Sequence, residues 1–468
     1  MKIFQLILLF VALSFSCYSQ KERAPITLKY ADSLVGMRGA EGFRIREYVG
    51  NVQLEQENIF VKCNKAIQYL DENKAELIGN VVITQEDLIL KSPKINYNGN
   101  SGVATSLDGI SITDKNANLT AKRGTYNTET FVADFEDDVK IKDDSVKISA
   151  RKISYNRKTR VSFCYGNVKV EDDSVMIFCD TLEHQRGTRD SYSYGNVEVR
   201  GKYDNAILFS DTLINIHSDK YIKALGNPLL FQIDTIAVDT LYRYSEGNAD
   251  KTPLPDTIIY REYDTLSITA NIMESFRQSD EEKYIFNDNV EIVRKDIAAK
   301  CNLAIFKTND EFIELYKNPI VWYDSTQLHS DTIFIYTPNK KLSYILALSN
   351  SLAAIKDDTV FTDRINQITG YSIKIVFTND SIDYILSKYD AKSLFFNQNE
   401  NEDAVAARNS ADSIRIIFQD GEPLEFISLG ANQGEFFPEV LFYNKEKEYY
   451  LPNFRWNNEK PKRKHTRK

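Results

Sequence analysis

The stretch Gly166-Asn167-Val168-Lys169-Val170 shows the pattern that decides the fold, because similar stretches recur along the chain at a fixed interval. Their second residues are at positions 51, 80, 109, 138, 167 and 196, so each step is 29 residues. Pairs such as Gly-Asn and Asp-Gly tolerate positive φ and are typical of tight turns. The residues that follow alternate between apolar and polar, which is the period of a strand with one buried face. The spacing predicts an all-β fold, a repeat-built slab of stacked strands with about 29 residues per repeat.

A second column of residues lies 12 positions after the first, and all its members are small. Several are followed by Asp and then Ser or Thr, as in Ser210-Asp211-Thr212. A column of small residues predicts a tight inward corner in each repeat. The column contains Cys63, Ser92, Ala121, Ala150 and Cys179, and, with small slips, Ser210, Ala270, Cys301 and Ser330.

The small column explains three of the four cysteines that follow residue 20, because Cys is itself small and buriable. If each repeat adds one strand, Cys63 and Cys179 lie on the order of 19 Å apart, beyond the reach of a disulfide. Cys164 is off the column, and Cys164–Cys179 is the one pairing that remains open.

A third column lies five residues further on and is mostly aromatic. Packing of one ring on the next is the favoured interpretation, because such pairs stabilise neighbouring strands. A ladder that stacks on a ligand is the alternative. The column contains Tyr97, Tyr126, Tyr155, His184 and Phe306.

The chain is predicted to begin with a signal peptide, residues 1–19, in which Lys2 precedes a short apolar stretch. Lipidation at Cys17 is less favoured, because bulky Phe15 is a poor fit to a lipobox. The remaining boundaries follow from the repeat pattern and local composition. We expect a first repeat region at 20–244, an inserted loop at 245–256, a second repeat region at 257–396, a polar loop at 397–409, a weak terminal repeat at 410–456 and a basic disordered tail at 457–468.

Composition and motifs argue against several classes of function. The net charge of −9 is opposite to that of a general nucleic-acid binder, so no nucleic-acid partner is expected. The four histidines show no H-E-x-x-H spacing, and the chain has neither a Walker loop nor a G-x-S-x-G elbow. We predict no catalytic, cofactor or metal residues and therefore no enzyme. Acidic pairs such as Asp172-Asp173 are interpreted as solvated turns rather than calcium sites.

The Gly-Asn-Val stretches, the Ala/Ser-Asp-Ser/Thr-Leu phrases and the tyrosines that follow them together resemble the OstA-like family, which includes LptA and the periplasmic domain of LptD. The likeness covers roughly residues 31–352 and is weaker beyond. It implies a β-jelly-roll slab open at both ends, located in the periplasm and possibly at the outer membrane. It also implies a bridge protein of lipopolysaccharide transport that holds lipid A acyl chains in an apolar groove.

The lipid path is expected along the inward residues of the alternating stretches. The candidates are Val52, Leu54, Val81, Ile83, Ile110, Ile112, Val139, Ile141, Val168, Val170, Val197, Val199, Val290 and Ile292. Unpaired edge strands at the two ends predict partners of the same Lpt-type fold, or self-stacking. Two alternatives remain open, a structural or adhesive β-solenoid at the cell surface and, with less support, a polysaccharide-active β-helix enzyme.

Overall fold

The computed structural model describes residues 26–464, apart from 39–41, 43, 115–116, 144–145, 204, 242–257, 279–280, 296, 308–310, 339–340, 357–359, 398–403 and 420. The expected signal peptide and the expected loop at 245–256 lie outside these residues and stay predictions. Strand makes up 73% of the structure and helix 2%, which confirms the all-β fold class. No helix among the described residues has the length and apolar character needed to cross a bilayer.

The described residues form two compact units, which divide between Cys164 and Tyr165. Unit 1 contains β1 (Thr27–Tyr30), β2 (Ser33–Arg38), β3 (Arg44–Gln56), β4 (Ile59–Tyr69), β5 (Lys74–Gln85), β6 (Leu88–Asn98), β7 (Val103–Ser106), β8 (Ile110–Asp114), β9 (Ala117–Ala121), β10 (Arg123–Asn127), β11 (Val132–Lys142) and β12 (Lys147–Asn156). The boundary falls within β13 (Val161–Glu171).

Unit 2 continues the series of antiparallel strands and ends in two short helices, α1 (Glu439–Phe442) and a 3-10 turn (Glu446–Tyr449). Its strands are β14 (Val175–Gln185), β15 (Asp190–Gly201), β16 (Ala206–Ile216), β17 (Tyr221–Leu225), β18 (Leu229–Leu241), β19 (Ile258–Thr269), β20 (Ile272–Gln278), β21 (Glu281–Arg294), β22 (Ile297–Lys307), β23 (Phe312–Tyr316), β24 (Ile320–Tyr323), β25 (Thr326–His329), β26 (Thr332–Tyr336), β27 (Tyr344–Ile355), β28 (Asn366–Thr378), β29 (Ser381–Asn397), β30 (Val405–Gln419), β31 (Glu422–Leu429) and β32 (Gln433–Pro438).

The Gly-Asn pairs are bulges inside strands, and the prediction that they are tight turns is wrong. In β3, Gly50 and Asn51 both have positive φ, and the pairing with β4 shifts between Val49 and Val52. Two residues on one strand therefore oppose one on its neighbour, which bends the strand. The hairpin turns lie elsewhere, so each 29-residue repeat contains two strands. The step along the stack is therefore about 10 Å per repeat, twice the expected value.

An aspartate that directly follows the small-residue column holds several of these bends. Asp180 accepts a hydrogen bond from the side chain of Asn196 (Nδ2 to Oδ2, 2.8 Å). A Cβ on Gly195, whose φ is +73°, would overlap the Asp180 carboxylate. The phrase Ser/Cys-Asp and the pair Gly-Asn are thus two halves of one local structure, and glycine is required both for its φ and for its lack of a Cβ.

Each bend divides a rung into two half-sheets, which we call half-sheet A (before the bulge, as in residues 44–49) and half-sheet B (after it, as in residues 52–56). The division is visible where the strands separate: β6 pairs with β7 in half-sheet A and with β8 in half-sheet B. Within unit 1 the half-sheets face each other. A small cleft between them is lined by Leu54 and Val61 from half-sheet B and by Ala75 and Leu77 from half-sheet A.

The C-terminal part of unit 2 differs from two expectations. Strand β30 begins at Val405, so the second half of the expected polar loop at 397–409 is a strand, because its Ala406 and Ala407 are buried. The expected disordered tail is also wrong for the residues described, because residues 450–464 form an extended strap over half-sheet B. Leu451 N–H donates to Gln367 Oε1 (2.9 Å), and the Asn457 backbone forms two hydrogen bonds with the Gln327 amide (2.7 and 3.0 Å).

The strap covers the outer face of half-sheet B, the face turned away from half-sheet A. It reaches from Gln367 on β28 to Ser267 on β19, where the Ser267 hydroxyl hydrogen-bonds the Lys464 backbone (3.2 Å to its carbonyl). All four residues of β25 are buried as a result, because one face packs inside the unit and the other lies under the strap. Residues 465–468, the end of the predicted tail, lie outside the described residues.

Candidate functional site

The predicted lipid-groove residues lie on the inner faces of half-sheet B, but they are not equally covered. Val52, Leu54, Val81, Ile83, Ile110, Ile112, Val139, Val168, Val197, Val290 and Ile292 are buried. Ile141, Val170 and Val199 are half-buried. The half-buried members are those furthest from the bend in the repeats around the middle of the chain, which points to a local opening there.

In unit 1 the free ends of the two half-sheets, which we call the mouth, are joined by hydrogen bonds. The Tyr97 hydroxyl donates to Gln56 Oε1 (2.5 Å), and the Tyr126 hydroxyl donates to Gln85 Oε1 (3.0 Å). The Tyr155 hydroxyl donates to Asp114 Oδ2 (3.2 Å). In every case the tyrosine is on half-sheet A and its acceptor is 41 residues earlier on half-sheet B. We call these three bonds the tyrosine ladder.

Two bonds of the ladder are buried and the third, between Tyr155 and Asp114, is partly buried. Tyr126 is 1% exposed and Gln85 is 3% exposed. Burial raises the pKa of Tyr126 to about 12, so the hydroxyl keeps its proton and remains a donor at neutral pH. A buried polar group that loses its partner is costly, so the ladder stabilises the contact between the two half-sheets at these rungs.

The mouth of unit 2 is different between β13 and β18. The inner residues Val170, Ile177, Val199 and Leu208 of half-sheet B are all half-buried. Ile141 on β11 of unit 1 is half-buried as well, whereas the equivalent residues of earlier repeats, such as Ile83 and Ile112, are buried. Closer to the bend the same strands are fully packed, as Val197 shows at 1% exposure. The result is an apolar wall whose outer end is partly accessible and whose base is fully packed.

Packing of ring on ring explains only part of the aromatic column. Phe306 stacks on Tyr284 with ring centroids 6.2 Å apart, in agreement with the favoured interpretation. Tyr97, Tyr126 and Tyr155 instead use their hydroxyls across the mouth, a role that ring packing alone does not explain. His184 is half-buried. The constant 41-residue offset to Gln56, Gln85 and Asp114 is the sequence signal that would have identified the ladder.

The cysteines of the described residues are four free, buried thiols. Burial raises the pKa of Cys63 and Cys179 to about 11 and that of Cys301 to about 12. Because the thiolate is the reactive form, these side chains act as small core residues. The described part of the chain holds no group of three or more His, Cys, Asp or Glu side chains that could bind a metal. Asp172 instead caps its own turn by accepting from the Ser174 and Val175 N–H groups.

Comparison with protein families gives two matches that overlap in the middle of the chain. Residues 23–180 match the family described as OstA-like protein. Residues 147–341 match the family described as LptA/(LptD N-terminal domain) LPS transport protein. A comparison with curated proteins gives no match. The second family match contains the whole accessible wall of unit 2, and the first contains all of unit 1 from residue 23. With its stacked antiparallel hairpins and its 29-residue bulge motif, this chain belongs to the OstA/LptA-like family of lipopolysaccharide-transport proteins.

Proposed function

We propose that the protein is a periplasmic bridge that holds the acyl chains of lipopolysaccharide, and that unit 2 is where they bind. The observation that carries the proposal is the half-buried apolar wall of Val170, Ile177, Val199 and Leu208. Transfer of such side chains from water to contact with an acyl chain is favourable, at roughly 25 cal/mol per Å² of apolar area. The wall is part of the stretch that matches the LptA/LptD transport family.

The ends of the strand stack support the bridge. At the N-terminal end, β1 and β2 pair with β3, and the described residues show no partner on their other side. Every residue of β2 is exposed, including Leu34, Val35 and Met37. An exposed apolar edge strand readily accepts a further strand. We propose other Lpt-type β-slab proteins, or a second copy of this chain, as partners at this edge.

The C-terminal end offers a second edge. β31 and β32 pair with the two halves of β30, and Leu424, Leu429 and Phe436 are exposed there. Export by the predicted signal peptide would deliver both edges to the periplasm, where such partners meet. The alternatives, a structural or adhesive solenoid and a β-helix enzyme, find less support, because both matched families are transport-related or OstA-like.

In-cell photo-crosslinking tests the proposal. A photoreactive residue replaces the inward Val170, and the same residue at the adjacent outward Lys169 is the control. We expect a lipopolysaccharide adduct at position 170 and none at position 169. Well-expressed, folded protein that gives no adduct at position 170 or at Val199 would overturn the lipid-binding proposal and favour a structural role.

A further inference from the structure

In unit 2 the outer face of half-sheet A, the face turned away from half-sheet B, is largely apolar. Paired residues on neighbouring strands align its side chains in rows, and one row crosses the middle of the half-strands from β14 to β30. In strand order this row contains Glu183, Tyr192, Ile214, Lys223, Glu274, Ile285, Ile305, Glu314, Phe334, Leu346, Lys374, Leu386 and Arg415. The rows on either side add Tyr221, Leu225, Ile272, Phe276, Leu303, Phe312, Tyr336, Tyr344 and Leu348. We call this surface the outer A face.

The same row in unit 1 is polar. It contains Glu47, Ile67, Glu76, Asn96, Thr105, Thr125, Asp134 and Ser154, of which Ile67 alone is apolar. A sheet face in contact with water normally bears polar side chains, as this one does. The repeat architecture therefore does not require an apolar outer A face, and unit 2 has one for a separate reason.

No described segment covers the outer A face. In β26 the inner residues Ile333 and Ile335 are buried, but the outer residues Phe334 and Tyr336 are half-buried. In β25 all four residues are buried, because the strap covers the outer face of half-sheet B there. A contiguous apolar surface without a cover marks a site of interaction with another molecule.

The two ends of the row bear opposite charges. Glu183 is its first residue, on β14, and Arg415 is its last, on β30. The Arg415 guanidinium lies 4.2 Å from the centre of the Tyr384 ring and pairs with no carboxylate in the described part of the chain. Lys374, two strands before Arg415, has the same sign. The remaining charges of the row pair within the chain, Lys223 with Glu274 (3.4 Å) and Glu314 with Lys307 of the neighbouring row (2.9 Å).

We propose that the outer A faces of two copies of this chain pack against each other with their strand series in opposite directions. The strand β22, which bears Ile305, is the middle strand of the row. A half-turn about an axis along β22 places Arg415 of each copy opposite Glu183 of the other, whereas packing in the same direction would place Arg415 opposite Arg415. Sheets that pack face to face keep their strands within about 30° of each other. The contact is isologous, so it closes at two copies and uses neither edge of the strand stack.

The outer A face is large enough for a stable dimer. Neighbouring strands are about 4.8 Å apart, so the row is roughly 58 Å long. A half-strand of five residues, such as Phe312–Tyr316, adds a width of about 16 Å. Two such faces would bury roughly 1,800 Å², and specific interfaces bury about 1,200–2,000 Å².

Sedimentation of the purified full chain over a range of concentrations tests the proposal, with no lipid added. We expect a dimer that does not grow further, since strand addition at the edges would give a mass that increases with concentration. Ile305→Lys places two lysines against each other at the axis and should raise the dissociation constant roughly tenfold or more. Glu314 on the neighbouring strand offers the new lysine a partner in the free chain.

Ile67→Lys is the matched control, because Ile67 lies in the same row of unit 1 between Glu47 and Glu76. We expect it to leave the association unchanged. Circular dichroism verifies that both variants are folded.

Charge reversal tests the direction of packing. Arg415→Glu and Glu183→Arg each place like charges opposite each other and should each weaken the dimer. The two substitutions together in one chain restore opposite charges, and dimerisation should recover. The two positions are roughly 58 Å apart along the row of one chain, so recovery can arise only between copies.

A full chain that stays monomeric would overturn the proposal and leave the outer A face to a different protein. A dimer that Ile305→Lys leaves unchanged would contradict it as well, because another surface would then hold the two copies together. Loss of the dimer with Ile305→Lys, without recovery when the two charge reversals are combined, would refute the opposed direction of packing.

Discussion

Unit 1 and unit 2 are built from the same bent hairpins, but they complete their packing in opposite ways. In unit 1 the tyrosine ladder joins the free ends of the half-sheets, and the outer half-sheet B faces bear exposed residues such as Gln53, Phe60 and Lys62. In unit 2 inner residues such as Val199 are half-buried, and the strap covers the outer half-sheet B face between β19 and β28. The bent hairpin alone therefore does not determine which surface is buried. A few side chains at repeated positions do.

The strap covers an apolar part of the outer half-sheet B face that would otherwise be exposed to water. Leu352 and Ala354 lie on the outer face of β27 and are 3% and 0% exposed. Arg364 anchors the segment before the strap, since it pairs with Glu439 and lies 3.7 Å from Glu446. The Arg364 guanidinium also lies 3.7 Å from the centre of the Phe361 ring. Unit 2 is thus expected to depend on a segment that unit 1 does not need.

Removal of the strap should have the largest effect. A chain that ends after Tyr449 loses the burial of Leu451 and the hydrogen bonds to Gln327, Gln367 and Ser267. We expect the free energy of unfolding of unit 2 to fall on the order of 5 kcal/mol. Hydrogen exchange resolved by segment measures this, with faster exchange in β19–β28 and unchanged exchange in β3–β6. A chain that ends after Lys464 is the control. Equal loss of protection in both units would contradict the difference between them.

A lower pH should destabilise the part of unit 2 that the strap covers. His329 lies on the outer face of β25 beneath the strap, where burial and then the nearby Arg455 charge lower its pKa to about 4. The unfolded chain has a histidine pKa of about 6.5, so it takes up the proton first as the pH falls. The contribution of neutral His329 is complete above pH ~6.5 and is lost as the pH falls toward ~4. Its full value is about 3 kcal/mol.

Denaturation of the full chain at several pH values measures this loss. His329→Asn removes the titrating group, so the stability of the variant should vary less between these pH values than that of the parent chain. The same substitution at the exposed His217 is the matched control. An unchanged pH profile in His329→Asn would show that the acid dependence has another source.

The sequence predicted the periodic part of this structure and missed what varies between repeats. The 29-residue interval identified the inward residues, because a bulge followed by alternation places Val52, Val81 and Val168 on one face. It misassigned the Gly-Asn pairs as turns, because positive φ is common to turns and to bulges. The pattern also does not predict that Val170 is half-buried where its repeat equivalent Ile83 is buried.

The strap was missed for a related reason. A basic, polar segment is normally solvated, and the partners that hold it are far away in sequence: Gln327 is 130 residues before Asn457. One local signal was available. In β27, Leu352, Ala353 and Ala354 are consecutive and apolar, so both faces of the strand lack polar residues. Such a run indicates a strand that is covered on both sides.

The bends allow the most specific comparison between the units, and the expected effects on stability are the smallest there. Gly195 in unit 2 has a φ of +73° and lies against the Asp180 carboxylate, whereas Gly109 in unit 1 has a φ of +94° and nothing within 4 Å of the place that a Cβ would take. Gly109→Ala should therefore cost only backbone strain, about 1 kcal/mol. Gly195→Ala adds overlap with Asp180 and should cost roughly 2 kcal/mol. Urea denaturation measures both values. Adding Asp180→Ala to Gly195→Ala removes the overlap with the carboxylate and leaves only the 3.0 Å contact with the Cβ of residue 180, so the double variant should be less destabilised than the sum of its single variants. Simple additivity would show that the aspartate does not hold the bend, and that the paired Gly-Asn and Ser/Cys-Asp phrases have separate causes.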